Sequence, residues 1–420
     1  MGPQDASNTA AAEAVMMKPA SSERTLTAAD SVALLTGGFD RHYATDLSLA
    51  LAQAGGRVEF VGSDELDSAE LRSTSGVTFL NLHGNRRPDA PAATKVWRVL
   101  RYYARLVRYA ATAAPPVFHI LWNAKLDLLD RTLLMLYYRL LGKKIVLTAH
   151  NVNAARRDAT DTVINRLTLR IQYRLAHHIF VHTTKMKREL ADDFGVPASS
   201  VTVIRHPVNS SVPTTPVTPA EAKVRLGIEP GQKTILFFGS IRPYKGLEYL
   251  TAAFQQLVAR DPSYRLLLAA EPKKEADAYL RDILNSTVVE RQRGQILQRL
   301  EFIPDEDTEL YFKAADVLAL PYTEIFQSGV LFLAYTFGLP VVVTDVGSFR
   351  EDIVEGETGF ICRPRDAADL ADTLEAYFRS DLFANLERRR PDIQAFVSQR
   401  HSWTAVSEAT RGVYARLTAQ

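Results

Sequence analysis

Residues 321–360 read PYTEIFQSGVLFLAYTFGLPVVVTDVGSFREDIVEGETGF. Pro321 closes an apolar run, VLALP, of the kind that forms a fully buried strand. A polar loop from Thr323 to Gly329 follows and leads into an apolar helix expected over Val330 to Phe337, which Gly338 and Pro340 end. Val341 to Thr344 is a second buried strand, and the turn from Asp345 to Ser348 opens another helix. This strand–loop–helix order, repeated, is the unit of a doubly wound parallel sheet, in which ligands bind beyond the carboxyl ends of the strands. Both polar loops lie at such ends, and both lead into helix N-termini, where amide groups and the helix dipole favour an anion such as a diphosphate.

The rest of the chain extends the pattern in both directions. Its 420 residues are 46% hydrophobic and 23% charged, a composition that suits two globular domains. Fifty Lys and Arg against 48 Asp and Glu give a net charge of +2, so nothing global points to a nucleic-acid partner. The single cysteine, Cys362, permits neither an intrachain disulfide nor a cysteine-based metal site, and it fits a reducing, cytoplasmic compartment. No run approaches the roughly 18 apolar residues that span a bilayer. Residues 1–30, rich in Ala, Ser and Thr, read as a disordered tail and not a signal peptide.

Strand and helix patterns alternate from Ser31 (SVALLT, RVEFVG, GVTFLNL, PVFHILWN, KIVLTAH, HIFVHT, VTVIRHPV), which makes 31–206 one α/β domain. The Pro-, Ser- and Thr-rich stretch 207–230 is a linker. A second alternating series occupies 231–390, with strands expected at TILFFGS, RLLLAA, LEFI, VLALP and VVVT, and further helices occupy 391–420.

Several constellations carry possible chemistry. Gly239 to Gly246, GSIRPYKG, follows the first strand of the second series; Gly239 lets a ligand approach the backbone, while Arg242 and Lys245 offer a fork of donors and a mobile cation to phosphate oxygens. A surface loop with two solvated cations would have the same sequence. Glu324, Gln327, Ser328 and Gly329 suit a polyhydroxyl ligand, although Ser328 is equally a helix cap. Glu351 is placed either at the site or against a helix dipole. His150 and Asn151 end a strand and point into the same kind of crevice, and Gly38 lies in GGFD after the first strand. His119, His177, His178 and His182 read as structural; no metal-ligand spacing such as H-E-x-x-H occurs, and neither metal nor cofactor is expected. Lys95, Trp97, Arg98, Arg101, Arg105 and Arg108 share a helix with an expected packed stripe of Val96, Val99, Leu100, Tyr103 and Val107. Such a helix either lies on an anionic membrane surface or packs with a solvated basic face.

In this order, the motifs resemble retaining glycosyltransferases of the GT-B fold, near glycosyltransferase family 4, over nearly all of residues 31–420. The likeness is strongest from FFGSIRPYKGLEYL to VGSFREDIVEGETGF, followed by Pro364 and Asp366. It implies an α/β architecture of two Rossmann-like domains facing a cleft, the second holding a UDP- or GDP-sugar and the last helix, entered at HSW, crossing back to the first. Arg242 and Lys245 match the diphosphate-binding cations, with Ser240 standing where the family carries Arg after Gly239. Phe302 to Pro304, with Ile303 central, matches the nucleobase loop, and His150 and Gly38 match positions near the donor sugar. The family commonly carries two glutamates eight residues apart. Aligned on Gly338-Leu339-Pro340, those positions hold Ile325 and Leu333, and Glu324 stands one residue early. The resemblance implies metal-independent transfer with retention to an acceptor held by the first domain. A lipid-linked saccharide at the inner membrane face, in polysaccharide assembly, is the expected acceptor. Another GT-B enzyme, such as an epimerase or an inverting transferase, or a non-catalytic sugar-nucleotide-binding homologue would share these features.

Overall fold

The computed structural model describes residues 31–37, 41–85, 91–157, 160–205, 207, 212–272, 276–284 and 294–419. Seven strands form the first sheet: β1 (Ser31–Leu35), β2 (Arg57–Gly62), β3 (Val77–Asn81), β4 (Val117–Ile120), β5 (Lys144–Ala149), β6 (His178–Val181) and β7 (Val201–Val203). Their order is β3-β2-β1-β4-β5-β6-β7, and every pairing is parallel. The second sheet holds β8 (Lys233–Ile241), β9 (Tyr264–Pro272), β10 (Ile296–Arg299), β11 (Val317–Leu320), β12 (Val341–Thr344) and β13 (Gly359–Cys362). Its order is β10-β9-β8-β11-β12-β13, again wholly parallel. The strands are short, continuous apolar runs because helices cover both faces of each sheet.

Each sheet reverses its strand order once, between β1 and β4 in the first and between β8 and β11 in the second. These switch points open crevices at the strand ends, where a doubly wound fold binds ligands. The loops Gly239–Gly246 and Pro321–Gly329 both lie at the second of them.

The LEFI segment, Leu300 to Ile303, is not a strand. β10 is the preceding ILQR, in register with β9 through Ile296 opposite Leu266. Helix Leu386–Arg400 continues through Pro391 and sends Ile393 and Val397 into the core of the second domain. Its buried Arg390 donates to the carbonyls of Phe337 (3.2 Å) and Ala315 (2.8 Å). Gly338 (φ +62°) lies under that helix, where a Cβ would come within 2.4 Å of the Arg390 carbonyl oxygen. Gly338 therefore ends one helix and also admits another.

Only helix Trp403–Thr418 of the C-terminal pair packs on the first domain, with Val406, Val413 and Tyr414 among Val32, Leu34, Tyr43 and Leu47. Tyr414 Oη lies 2.6 Å from His119 Nδ1, and His119 Nε2 lies 2.7 Å from Thr148 Oγ1. Burial pushes the His119 imidazole down to about 3, so it is neutral and pairs with two hydroxyls. His178 bonds Thr202 at 2.9 Å, and His177 accepts from the Ile145 amide at 2.9 Å, which matches their structural reading.

Candidate active site

β8 delivers Gly239 to the second switch point at φ +105°, a conformation L side chains rarely adopt. A Cβ there would lie 3.2 Å from Lys245 Nζ and 3.6 Å from Val330 Cγ2. The backbone of Gly239, the Lys245 ammonium and the first turn of helix Gly329–Thr336 thus meet at one point. Lys245 is only 6% exposed, and its Nζ lies 5.6 Å from the ring centroid of the fully buried Tyr322. Burial raises the Tyr322 phenol, which is neutral and presents a ring face to the cation. Arg242 is half-buried at the start of the turn Pro243–Lys245.

Adjacent loops are pinned to one another through glycines. Gly246 (φ +66°) ends the Lys245 turn, where a Cβ would be 2.1 Å from the Pro321 carbonyl oxygen. The Thr323 amide donates to the Tyr244 carbonyl at 2.8 Å. Gly347 (φ +61°) repeats the device one strand further on: a Cβ would be 2.3 Å from Ile325 O, and the Ser348 amide donates to Phe326 O at 3.0 Å. Ser328 stands at the N-cap of helix Gly329–Thr336, yet its hydroxyl makes no cap hydrogen bond and is buried. The Ser328 hydroxyl lies instead against the Tyr322 phenol.

Gln327 turns inward. Its Nε2 is 3.4 Å from Asp352 Oδ2, which also accepts from Ser348 Oγ at 3.0 Å. Burial pushes the Asp352 carboxyl up to about 6, against the lowering effect of these two donors. A carboxyl whose pKa is raised on folding stabilises the fold fully below its unfolded value near 3.8, and that contribution is lost as pH rises through about 6. Asp352→Asn is expected to raise the melting temperature at pH 8 and to leave it nearly unchanged at pH 4. The two-unit gap corresponds to at most about 3 kcal/mol. Melting curves at the two pH values check this; equal shifts at both would refute it.

Glu324 and Glu351 are both exposed and line an interdomain cleft with Phe326, Asp345, Gly347 and Arg350. Arg350 Nε holds Asp345 at 3.0 Å. Across the cleft the first domain contributes Asn153, Arg156, Lys185 and Arg188. Ile325 and Leu333 are core residues, 8% and 9% exposed.

His150 lies at the end of β5. Its ring stacks on Trp122 (4.2 Å between centroids, planes 1° apart), and the Tyr43 ring meets it edge-on at 4.7 Å. Its Nδ1 is 3.0 Å from His182 Nε2, and His182 Nδ1 is 3.1 Å from the Ile204 carbonyl oxygen. A carbonyl only accepts, so His182 carries its proton on Nδ1; His150 Nδ1 then donates to His182, which puts the His150 lone pair on Nε2. His182 orients His150, a finer role than the structural one expected of it. His150 lines a hollow with Asn123, Asn151, Asn153, Arg131 and Gln172, and Asn153 borders this hollow and the interdomain cleft alike.

Ile303 is half-buried, packs against the second core and immediately precedes Pro304, which stands before helix Asp305–Ala314; its neighbour Phe302 is 67% exposed. Gly38 lies outside the described residues. Helix Ala92–Thr112 buries Tyr102, Tyr103, Leu106 and Ala110. The expected packed stripe is therefore wrong in part: Val96, Leu100 and Val107 are exposed, beside Trp97. Lys95, Arg101 and Arg108 face solvent, whereas Arg98 and Arg105 donate to the carbonyls of Asn85 (2.8 Å) and Leu82 (3.4 Å). Reading the sequence alone did not single out Asn123, Asn153, Gln172, Lys185, Arg188 or Asp352. Asn123 and Asn153 follow strand ends, and Lys185 and Arg188 open the helix after β6, so strand-end position was the usable signal.

Two parallel-sheet domains with facing strand ends and a last helix returning to the first domain define a GT-B fold. Residues 38–212 match the model of Glycosyltransferase Family 4, and residues 232–380 match that of Glycosyl transferases group 1. The chain belongs to this glycosyltransferase family. It is 27% identical over 287 residues to the D-inositol 3-phosphate glycosyltransferase of Corynebacterium aurimucosum, covering 64% of this chain and 66% of that one. The corresponding enzyme of Corynebacterium efficiens is 30% identical over 197 residues, 46% of this chain and 45% of its own. The chain thus spans between about half and two thirds of the length of these curated relatives. Among solved structures, sucrose-phosphate synthase from Thermosynechococcus elongatus superposes with a TM-score of 0.74 at 19% identity, over 93% of this chain and 99% of that one. Anabaena HepE, solved in complex with UDP and glucose, gives 0.69 at 15% identity, over 91% and 98%.

Proposed function

We propose that this protein transfers a sugar from a nucleoside diphosphate sugar, with UDP or GDP as carrier, to an acceptor hydroxyl, with retention of configuration. The observation that carries the reading is the meeting of Gly239, Lys245 and the first turn of helix Gly329–Thr336 at the β8/β11 switch point. A diphosphate placed there takes Lys245 and Arg242 as cations and the helix N-terminus as a dipole. These groups stabilise leaving-group charge where it develops. Retention follows if the acceptor attacks from the leaving-group face and the departing phosphate takes its proton, a route that needs no protein carboxylate pair and no metal. The binding of UDP by HepE supports a uridine carrier.

The acceptor occupies the hollow lined by His150, whose carboxamides suit a polyhydroxyl head group. The preferred acceptor is a lipid-linked saccharide in polysaccharide assembly, met at the inner face of the membrane. The relatives' name, D-inositol 3-phosphate glycosyltransferase, also makes a phosphorylated polyol a candidate.

Ile325 and Leu333, buried where the family carries glutamates, favour a second reading in which a nucleotide sugar is bound but not turned over. A thermal-shift panel of UDP-, GDP- and ADP-sugars is expected to give one carrier a clear rise in melting temperature, because a ligand bound only by the native state stabilises it. Incubation with acceptor and anomer analysis then separates the outcomes. A retained glycoside supports the proposal; an inverted product, an epimerised donor or no turnover rejects it.

A further inference from the structure

Large exposed apolar side chains are not scattered over this protein. Among the described residues, Val224 and Phe302 are the only ones outside three helical segments of the first domain. Helix Ala92–Thr112 exposes Val96, Trp97 (64%), Leu100 and Val107. The segment around helix Leu134–Leu140 exposes Leu133 (63%), Leu136 and Leu140 (78%), with Leu126, Leu128 and Leu141 at its ends. Helix Val163–Leu175 exposes Val163 (75%), Ile164 and Leu167.

The three helices lie side by side on one face of the first sheet. Tyr137 Oη donates to the Val107 carbonyl at 3.2 Å, and Arg139 Nη1 donates to the Leu175 carbonyl at 3.0 Å. Their inner residues (Tyr103, Leu106, Leu134, Tyr138, Leu169 and Tyr173) share one core. Their outer crests therefore form one apolar face, larger than the isolated exposed residues normal on a soluble surface.

The excess charge of that face is positive. Exposed Arg101 and Arg108 stand on the first helix and Arg170 and Arg174 on the third, whose Arg166 is paired with Asp161 at 3.1 Å just before the helix. In residues 92–112, 125–141 and 163–175 the only carboxylates are Asp127 and Asp130. Asp127 is paired with Arg131 at 3.0 Å, and Asp130 is buried under Tyr103 Oη at 2.9 Å. A second copy of the chain would oppose cation to cation. An anionic bilayer complements both the charge and the apolar crests, which enter the acyl boundary while the arginines stay among the head groups. No described helix is long and apolar enough to cross the membrane.

We propose that these three helices together form the docking surface for a bilayer containing anionic lipid. The helix of residues 92–112, singled out in the sequence, is one third of that surface. Asp127, Arg131 and Asn165, on the same turns as Leu126, Leu128 and Ile164, line the hollow beneath His150. On the acceptor reading given above, this puts the mouth of the hollow at the lipid boundary, so a saccharide head enters while its apolar tail stays in the bilayer.

The test is flotation of the full chain with phosphatidylcholine vesicles and with mixed phosphatidylcholine–phosphatidylglycerol vesicles, without donor or acceptor. Binding is expected to the mixed vesicles and to weaken with added salt. The triple variant Leu133→Ser, Leu136→Ser, Leu140→Ser changes only exposed side chains and is expected to lower partitioning by more than about tenfold. Arg101→Glu with Arg108→Glu is expected to do the same at low salt. A fluorophore on Leu136→Cys, with buried Cys362 left unlabelled, is expected to shift blue on vesicle addition, whereas one on Gln255→Cys in the second domain is not. Absence of vesicle binding by the wild type, or binding indifferent to both sets of substitutions, overturns the proposal. So does a concentration-dependent dimer that the leucine substitutions abolish, which would assign the face to a second copy. None of these readouts depends on sugar transfer, so the docking surface and the catalytic reading fail or stand separately.

Discussion

Lys245→Ala is expected to reduce sugar transfer by roughly 100- to 1000-fold, the range seen when one preorganised partner of a developing negative charge is removed. The loss should fall on kcat, because charge on the diphosphate is greatest in the transition state. The stabilisation given by a nucleoside diphosphate in a thermal-shift assay should also shrink, since the ground-state diphosphate meets the same cation. Lys245→Arg is not expected to rescue activity. With Nζ only 3.2 Å from where a Gly239 Cβ would be, a compact ammonium fits the space and a planar guanidinium does not. An alanine variant with near wild-type turnover would remove the phosphate from this crevice, and with it the proposed reaction.

Gly246→Ala is expected to be the most damaging single-methyl change at the site. At φ +66° an alanine costs about 1–2 kcal/mol in backbone strain alone. Its Cβ would also stand 2.1 Å from the Pro321 carbonyl oxygen, which is backbone and cannot swing aside. Together these predict a destabilisation of roughly 2–4 kcal/mol. The clash also parts the Lys245 turn from the Pro321–Thr323 loop, so activity should fall beyond what lost stability explains. Gly195→Ala is the matched control: its φ is +67°, yet nothing lies within 4 Å of its Cβ, so only the same conformational cost of about 1–2 kcal/mol is expected. Denaturant midpoints for the two variants give the comparison. Equal losses would show that the stitch between the loops carries no energy.

The fold was legible in the sequence because short apolar runs, each followed by a polar or glycine-bearing turn and an amphipathic stretch, leave few architectures besides a parallel sheet. β10 was misplaced for a local reason. It is an edge strand with one neighbour, its last residues Gln298 and Arg299 are exposed, and ILQR and LEFI carry similar patterns. The orientation of helix Ala92–Thr112 could not be read either. Val96, Leu100 and Val107 share helical spacing with one another, as Tyr103, Leu106 and Ala110 do, and only the packing of neighbouring helices decides which set is buried. Within the site, Gly239 and Lys245 were visible because both lie in one strand-end loop. The contact of Gln327 with Asp352 could not be foreseen, because the two lie 25 residues apart in the chain. Lys185 and Arg188 belong to the other domain, and sequence spacing carries no record of what crosses a cleft.

The return of the last helix to the first domain has a mechanical consequence. The chain passes between the domains twice, once through the segment after β7 and once between helices Leu386–Arg400 and Trp403–Thr418. At the second passage His401 is buried, with its ring 4.8 Å from Phe332 in the second domain. Ser402 caps the helix that Tyr414 fastens to the first domain, accepting from the Ala405 amide at 3.2 Å. The free joint there is the link between two adjacent residues. Two crossings tie the domains more tightly than one, because neither domain can turn about one crossing without straining the other.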